Sequence, residues 1–199
     1  MRQLLISVCV IALSFVLGRL SAQDVEPTCS MCPADYVGVE EIDSYVAVGR
    51  AEGVTDQQVR SIDIGQAQVQ IAVAHRGALE EPRPNSVAVH DLVTEVYYVL
   101  SGAGTNRTGP DLIDARRRPP DNRAVQFLNG PGRNAAEIRD PDIRELKAGD
   151  VLVIPAGTGH QFTKIDDHIT YLMVRVDPDK VVPLMDAAAS RAYLAGHPQ

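Results

Sequence analysis

The sequence predicts an all-β domain, an antiparallel sandwich or barrel, and three observations carry that prediction. Short runs of β-branched and aromatic residues recur along the chain, turn residues punctuate them, and no long helical pattern separates them. The 199 residues, 45% of them apolar, suffice for one hydrophobic core, and 15 Gly with 13 Pro suit many tight turns better than a helical bundle. A formal net charge of −7 repels phosphate backbones, so nucleic acid is not expected as a partner.

The chain opens with a secretory-signal pattern. Arg2 gives a positive start, Leu4 to Leu17 is apolar, and Leu20-Ser21-Ala22 ends in the small residue that signal peptidases need. The apolar run is shorter than the roughly 20 residues that cross a bilayer, and Gln23 and Asp24 follow it closely. Residues 1–22 are therefore expected to be removed, leaving no permanent membrane anchor and an acidic protein that is secreted or periplasmic. Residues 23–56 form an N-terminal extension. Its Cys29-Ser30-Met31-Cys32 pair is expected to close a local disulfide in an oxidising compartment. Pro33 stands where a c-type haem attachment requires His, no βαβ pattern surrounds the pair, and no second pair lies at zinc-finger spacing. Next, Val39, Ile42, Tyr45, Val46 and Val48 are spaced as on a short helix.

From Gln57 the period changes to two, and residues 57–182 read as the barrel. Gln58 to Ile64 alternates and stops at Gly65; Val69–Ala74, Ser86–Val89, Val96–Leu100, Val151–Ile154 and Ile169–Val176 are the further strands. Between Gly109 and Arg144, Pro, Arg, Asn, Gly and Asp crowd together, which predicts a long loop or lobe in which only Ala124–Leu128 looks extended. Its Arg116-Arg117-Arg118 run reads as a solvated turn face, with grip on an anionic ligand as the alternative. In residues 183–199, Pro183 at a first helical position and an Ala-rich body to Leu194 predict a short helix and a tail.

Two segments carry chemistry. In the first, His90 ends one apolar run and Glu95 begins the next, separated by the residues a turn between adjacent strands needs, with Gly102 beyond. In the second, Gly149 precedes the strand Val151–Ile154, Pro155 and Gly157 make a tight turn, and His160 opens the following strand.

These blocks resemble the two motifs of the cupin superfamily, small β-barrels of the jelly-roll type. Against its first motif, His90, Glu95 and Gly102 match, while Pro82 and Ala88 stand at the places of the leading Gly and the first His. Against the second, Gly149, Pro155, Gly157 and His160 match and Lys164 replaces the Asn, so seven of ten fixed positions agree at the right spacing. The resemblance implies a jelly-roll barrel with short helices at both ends, and one divalent metal ion held inside it by His90, Glu95 and His160. Two neutral imidazoles and a carboxylate suit Fe(II), Mn(II) or Zn(II) and leave positions open. A barrel that has given up its metal and binds an organic ligand unaided is the alternative that Ala88 keeps open.

Strand alternation puts Ala88 on the His90 face, Tyr97 and Val99 on the Glu95 face and Phe162 on the His160 face, as a pocket wall or simple core. His75 ends the preceding strand and offers a replacement imidazole; His168 and His197 read as exposed, and Asn106-Arg107-Thr108 is a formal glycosylation sequon. The expected partner is a small organic molecule, bound or transformed. Reactions among cupins include those of dioxygenases, isomerases, lyases and decarboxylases, and pairing through sheet edges implies a homodimer.

Overall fold

A computed structural model describes Glu26–His197, so the signal-like residues 1–22 lie outside the described residues. The chain divides into two compact units, Met1–Pro33 and Ala34–Gln199. Within the described part of the first, Cys29 and Cys32 are bonded to each other, their Cα atoms 5.7 Å apart.

The second unit starts with helix α1, Val39–Glu52. Glu40 and Glu41 in its first turn and Arg50 in its last complement the helix dipole, and Gly53, at φ 67°, ends it in the left-handed region. Its buried face carries Ile42, Tyr45 and Val48 and packs on Val59 and Val73. The strands follow: β1 Asp56–Asp63, β2 Gln68–Arg76, β3 Val87–His90, β4 Thr94–Gly109, β5 Leu112–Ile113 and β6 Arg116–Arg117. After helix α2, Arg123–Phe127, come β7 Gly132–Ala135, β8 Glu137–Ile138, β9 Asp142–Lys147, β10 Val151–Ile154, β11 Gly159–Lys164 and β12 Ile169–Asp177, and then helix α3, Ala187–Gly196.

All pairings are antiparallel, in the order β1-β2-β12-β4-β11-β3-β7-β6, with β9 and β10 also on β4. The 16-residue β4 is the common member of both walls. Its first half pairs with β12 and β10, its second half with β11 and β9. The corner between the halves is Gly102, at φ 73°, where any Cβ would run into the His168 carbonyl. Both constraints demand glycine.

Alternation along the strands fills the interior. Ala72 and Ala74 of β2, Tyr97 and Val99 of β4, Phe162 of β11, and Tyr171 and Met173 of β12 form the main core with Ile154, Ile165 and Ile169. The Tyr97 and Phe162 rings lie 4.5 and 5.5 Å from that of Tyr171. Each fully buried aliphatic side chain contributes about 1.5–3 kcal/mol.

Four expectations need correction. Ala124–Leu128 is not extended: the Asn122 side chain accepts a hydrogen bond from the Ala124 N–H and caps helix α2. The C-terminal helix starts after Pro183, because the Asp186 side chain accepts from the Ala189 N–H and fixes the first turn there. Arg116 and Arg117 are exposed, but Arg118 turns inward and donates from Nε to Asn134 Oδ1 at 2.6 Å. His168 is half-buried; Ser101 Oγ lies 3.2 Å from its Nε2 and Asp167 Oδ2 2.7 Å from its Nδ1. His197 is also half-buried, its Nδ1 2.8 Å from the Tyr193 carbonyl oxygen. The sequon residue Asn106 is buried within β4. Among the described residues, no helix is long and apolar enough to cross a membrane.

Candidate metal centre

Three local devices bring His90, Glu95 and His160 together. His90 closes β3 and Glu95 is the second residue of β4, so the short turn between them returns the chain to the same interior. His160 is the second residue of β11, which pairs with β3 so that His160 sits opposite Ala88. The Pro155–Gly157 turn is tied to the first segment, since the Gly157 N–H donates to the His90 carbonyl at 2.7 Å. Gly157, at φ 86°, is the residue that lets the turn close.

The resulting cluster is buried, and one donor atom from each residue lies within 4.8 Å of the others. Glu95 Oε2 stands 3.4 Å from His90 Nε2 and 3.5 Å from His160 Nε2. Ligands about 2.1 Å from one tetrahedral or octahedral ion lie roughly 3.0–3.4 Å apart, which the two Glu95–His separations approach. The carboxylate is oriented from behind: Oε1 accepts from Arg175 Nε at 2.8 Å and from Asn129 Nδ2 at 3.1 Å, and Oε2 accepts from the Tyr97 hydroxyl at 3.0 Å. His160 Nδ1 lies 3.3 Å from the Thr158 carbonyl oxygen; donation there leaves the Nε2 lone pair facing Glu95. His90 Nδ1 is buried with no hydrogen-bond partner among the described residues.

Electrostatics keeps Glu95 and His160 in their ligating forms. Burial works to raise the Glu95 carboxyl, but its interactions with His90 and with the Arg175 guanidinium outweigh it and hold the group well below the usual carboxylate range. Burial, reinforced by His90, pushes His160 down to about 4, so its imidazole is neutral at physiological pH. Burial and the Glu95 charge push the Tyr97 phenol well up, which keeps it a neutral donor.

Of the other sequence-derived candidates, Ala88 lines a cavity of about 590 Å³ together with His160 and Phe162. The absence of a larger side chain at position 88 leaves that face of the centre next to the cavity. Val99 is core, Tyr97 touches Glu95, and Phe162 both packs in the core and reaches the cavity. His75 is not part of the cluster. It points to the opposite face of β2 from Ala74 and Arg76, where its Nδ1 lies 2.8 Å from Thr170 Oγ1.

Sequence reasoning missed Arg175 and Asn129. Arg175 did leave a signal, a lone charged residue at the inward parity of the apolar run Ile169–Val176. Asn129 left none, because it sits in the lobe, where no periodicity assigns a direction.

No protein-family model matches the chain, and no curated relative matches it. Solved structures do match. A Bacillus halodurans protein shares 14% identity over 84% of this chain and 98% of its own, with a TM-score of 0.40. A cupin protein of Bacteroides fragilis shares 19% identity over 59% of this chain and 72% of its own, with a TM-score of 0.34. An RmlC-like cupin family protein with a double-stranded β-helix fold, from Methanocaldococcus jannaschii, shares 12% identity over 64% and 85%, with a TM-score of 0.38. At such identities a likeness is one of fold alone. The antiparallel strands of this chain form a curled sheet in whose interior the two motif segments meet.

Proposed function

We propose that the protein holds one divalent metal ion, Fe, Mn or Zn, through His90, Glu95 and His160, and that it binds or transforms a small organic molecule there. The convergence of three buried donor atoms from separate strands carries this reading. When bound, such an ion supplies Lewis-acid or oxygen-activating chemistry at its open positions. The chain's own contribution is positional. Arg175, Asn129 and Tyr97 hold the carboxylate, Thr158 orients His160, and the cavity beside Ala88 admits the ligand.

Elemental analysis of the purified protein beside a His160→Ala variant tests the assignment. Stoichiometric metal in the parent that is lost from the variant is expected; no metal in either refutes it. Oxygen consumption with small diols, enols and aromatic acids then tests for a dioxygenase, and product analysis for an isomerase or lyase. A second reading, a non-catalytic small-ligand-binding module, is favoured by Ala88, which supplies no fourth ligand. It is separated from the first by tight binding without turnover.

The protein is proposed to be exported, supported by the pattern of residues 1–22 and by the Cys29–Cys32 bond. Cell fractionation with N-terminal sequencing tests this. A homodimer is proposed from the outer face of β10 and β4, where Val151 and Val153 are more than half exposed beside the exposed Tyr98. Light scattering reads its mass.

A further inference from the structure

Two arginines point into the barrel from adjacent strands, and they are treated differently. Arg175 of β12 is fully buried and matched: Nε donates to Glu95 at 2.8 Å, Nη2 to Asp56 at 2.5 Å and Nη1 to Gln58 Oε1 at 2.9 Å. Arg76, at the end of β2, follows Ala72 and Ala74 on the inward parity. Its hydrogen bond among the described residues runs from Nε to the Tyr171 hydroxyl at 3.0 Å, and its guanidinium carbon lies 5.5 Å from the Phe162 ring centroid. No carboxylate lies within ion-pair distance of it among the described residues. One Arg is paired directly with two carboxylates; the other feels Asp56 only at longer range and makes no ion pair among the described residues.

The surroundings of Arg76 point the same way. It lines the cavity of about 590 Å³ that Ala88, His160 and Phe162 also line. The chain carries 26 Asp and Glu against 19 Lys and Arg, yet the wall of this cavity contains Arg50, Arg76 and Arg83 and no acidic residue. A local excess of cationic side chains in an acidic protein concentrates an anion where the chain as a whole repels it. With Nε engaged by Tyr171, the two η nitrogens of Arg76 remain as a planar pair of donors. Such a pair matches the two oxygens of a carboxylate, and the Tyr171 bond and the Phe162 face fix its plane in advance.

We propose that the ligand of this cavity is a small organic acid whose carboxylate is clamped by Arg76, while the rest of the molecule extends past Ala88 toward His160. The second half of this statement rests on the metal-centre reading given above; the clamp itself does not.

The test is calorimetric titration of the full mature chain with benzoate and succinate, each against its amide, and with inorganic phosphate. Metal-loaded and chelated protein are titrated in parallel, for the parent, Arg76→Gln and Arg76→Lys. The expected result is that an acid binds at least ten-fold more tightly than its amide. Arg76→Gln is expected to lose at least ten-fold, with Arg76→Lys in between, and the metal content of Arg76→Gln to equal the parent's, which also reports that the variant folds. Equal binding of acid and amide, equal binding by Arg76→Gln and the parent, or no binding of either acid at millimolar concentration overturns the clamp. Phosphate binding more tightly than both acids with the same Arg76 dependence overturns the choice of a carboxylate. Arg76-dependent acid binding by a parent that retains no metal upholds the clamp and removes the metal reading; metal binding with Arg76-independent acid binding does the reverse.

Discussion

Replacing Arg175 by Met should be among the most damaging single changes available in this barrel, and for an electrostatic reason. The guanidinium is fully buried between the Glu95 and Asp56 carboxylates. Burial alone would weaken its charge, but those two carboxylates hold it protonated above its ordinary range. Met occupies much of the same volume, so packing is nearly conserved while Glu95, Gln58 and Asp56 each lose a hydrogen bond. Removing one partner from a buried ion pair costs about 3–5 kcal/mol, because the remaining charge stays desolvated. In a domain of this size each kcal/mol moves the thermal midpoint by roughly 2–4 °C, so a fall of roughly 6–20 °C is expected in chelated protein. Circular dichroism melts with a chelator present measure it. The same variant should bind metal about 10–100-fold more weakly, as expected when a group that orients a ligand is lost. A double variant that also carries Glu95→Gln should recover part of the stability but none of the metal affinity. A midpoint shift below about 2 °C in Arg175→Met would refute the argument that this pair is a strongly coupled buried unit.

Four further outcomes follow from the same geometry. His160 stays neutral in the fold down to about pH 4, whereas an unfolded histidine takes its proton near pH 6.5. Chelated protein should therefore be equally stable above about pH 7 and lose up to ~3 kcal/mol between about pH 6.5 and 4; a flat series of urea titrations over that interval would contradict it. Tyr97→Phe removes the hydroxyl that donates to Glu95 Oε2 and should cost about 1.5–3 kcal/mol by denaturant titration, the range for a hydrogen bond to a charged group. Gly102→Ala meets both a positive φ and the His168 carbonyl, so its cost should exceed the ~1–2 kcal/mol of the backbone conformation alone; a neutral result would remove Gly102 as the corner of the barrel. Ala88→His places a third imidazole opposite His160 and should tighten metal binding at least ten-fold by competition with a chromophoric chelator, and unchanged affinity would show that position 88 does not face the ion.

What the sequence could reveal was set by how strictly each residue's direction is dictated. His90, Glu95 and His160 lie at strand ends beside turns and match fixed positions of the cupin motifs, so it was the resemblance, with spacing in support, that grouped them. Gly102 and Gly157 were legible for a related reason: each occupies a left-handed conformation that other residues resist. The period-two runs located β1 to β4, β10 and β12 but not all their lengths, whereas β5 to β8 and the start of β9 lie in the stretch expected as a long loop or lobe, where short polar strands leave no apolar alternation to read. Expected from Val96 to Leu100, β4 continues to Gly109, because Ser101 to Gly109 are too polar to register as a strand although β9 and β11 supply their partners. Helix α2 was hidden by its brevity, since five residues hold too little periodicity and only the cap at Asn122 marks it. Arg118 was hidden by its company: a run of three arginines reads as one exposed face, yet here the third turns inward. The split between Arg76 and Arg175 could not be read at all, because it depends on which carboxylates cross-strand pairing brings alongside each.

The long strand β4 has one further consequence. Its residues hydrogen-bond to four other strands, and Glu95 lies on it between Ile154 of β10 and Arg175 of β12. Although Glu95 lies one residue from the start of this strand, partners on both edges hold it there, so amide hydrogens from Val96 to Val99 should exchange only when the whole barrel opens. An ion held at Glu95 would then exchange through the cavity that Ala88 and His160 line rather than by fraying of the strand that carries the carboxylate.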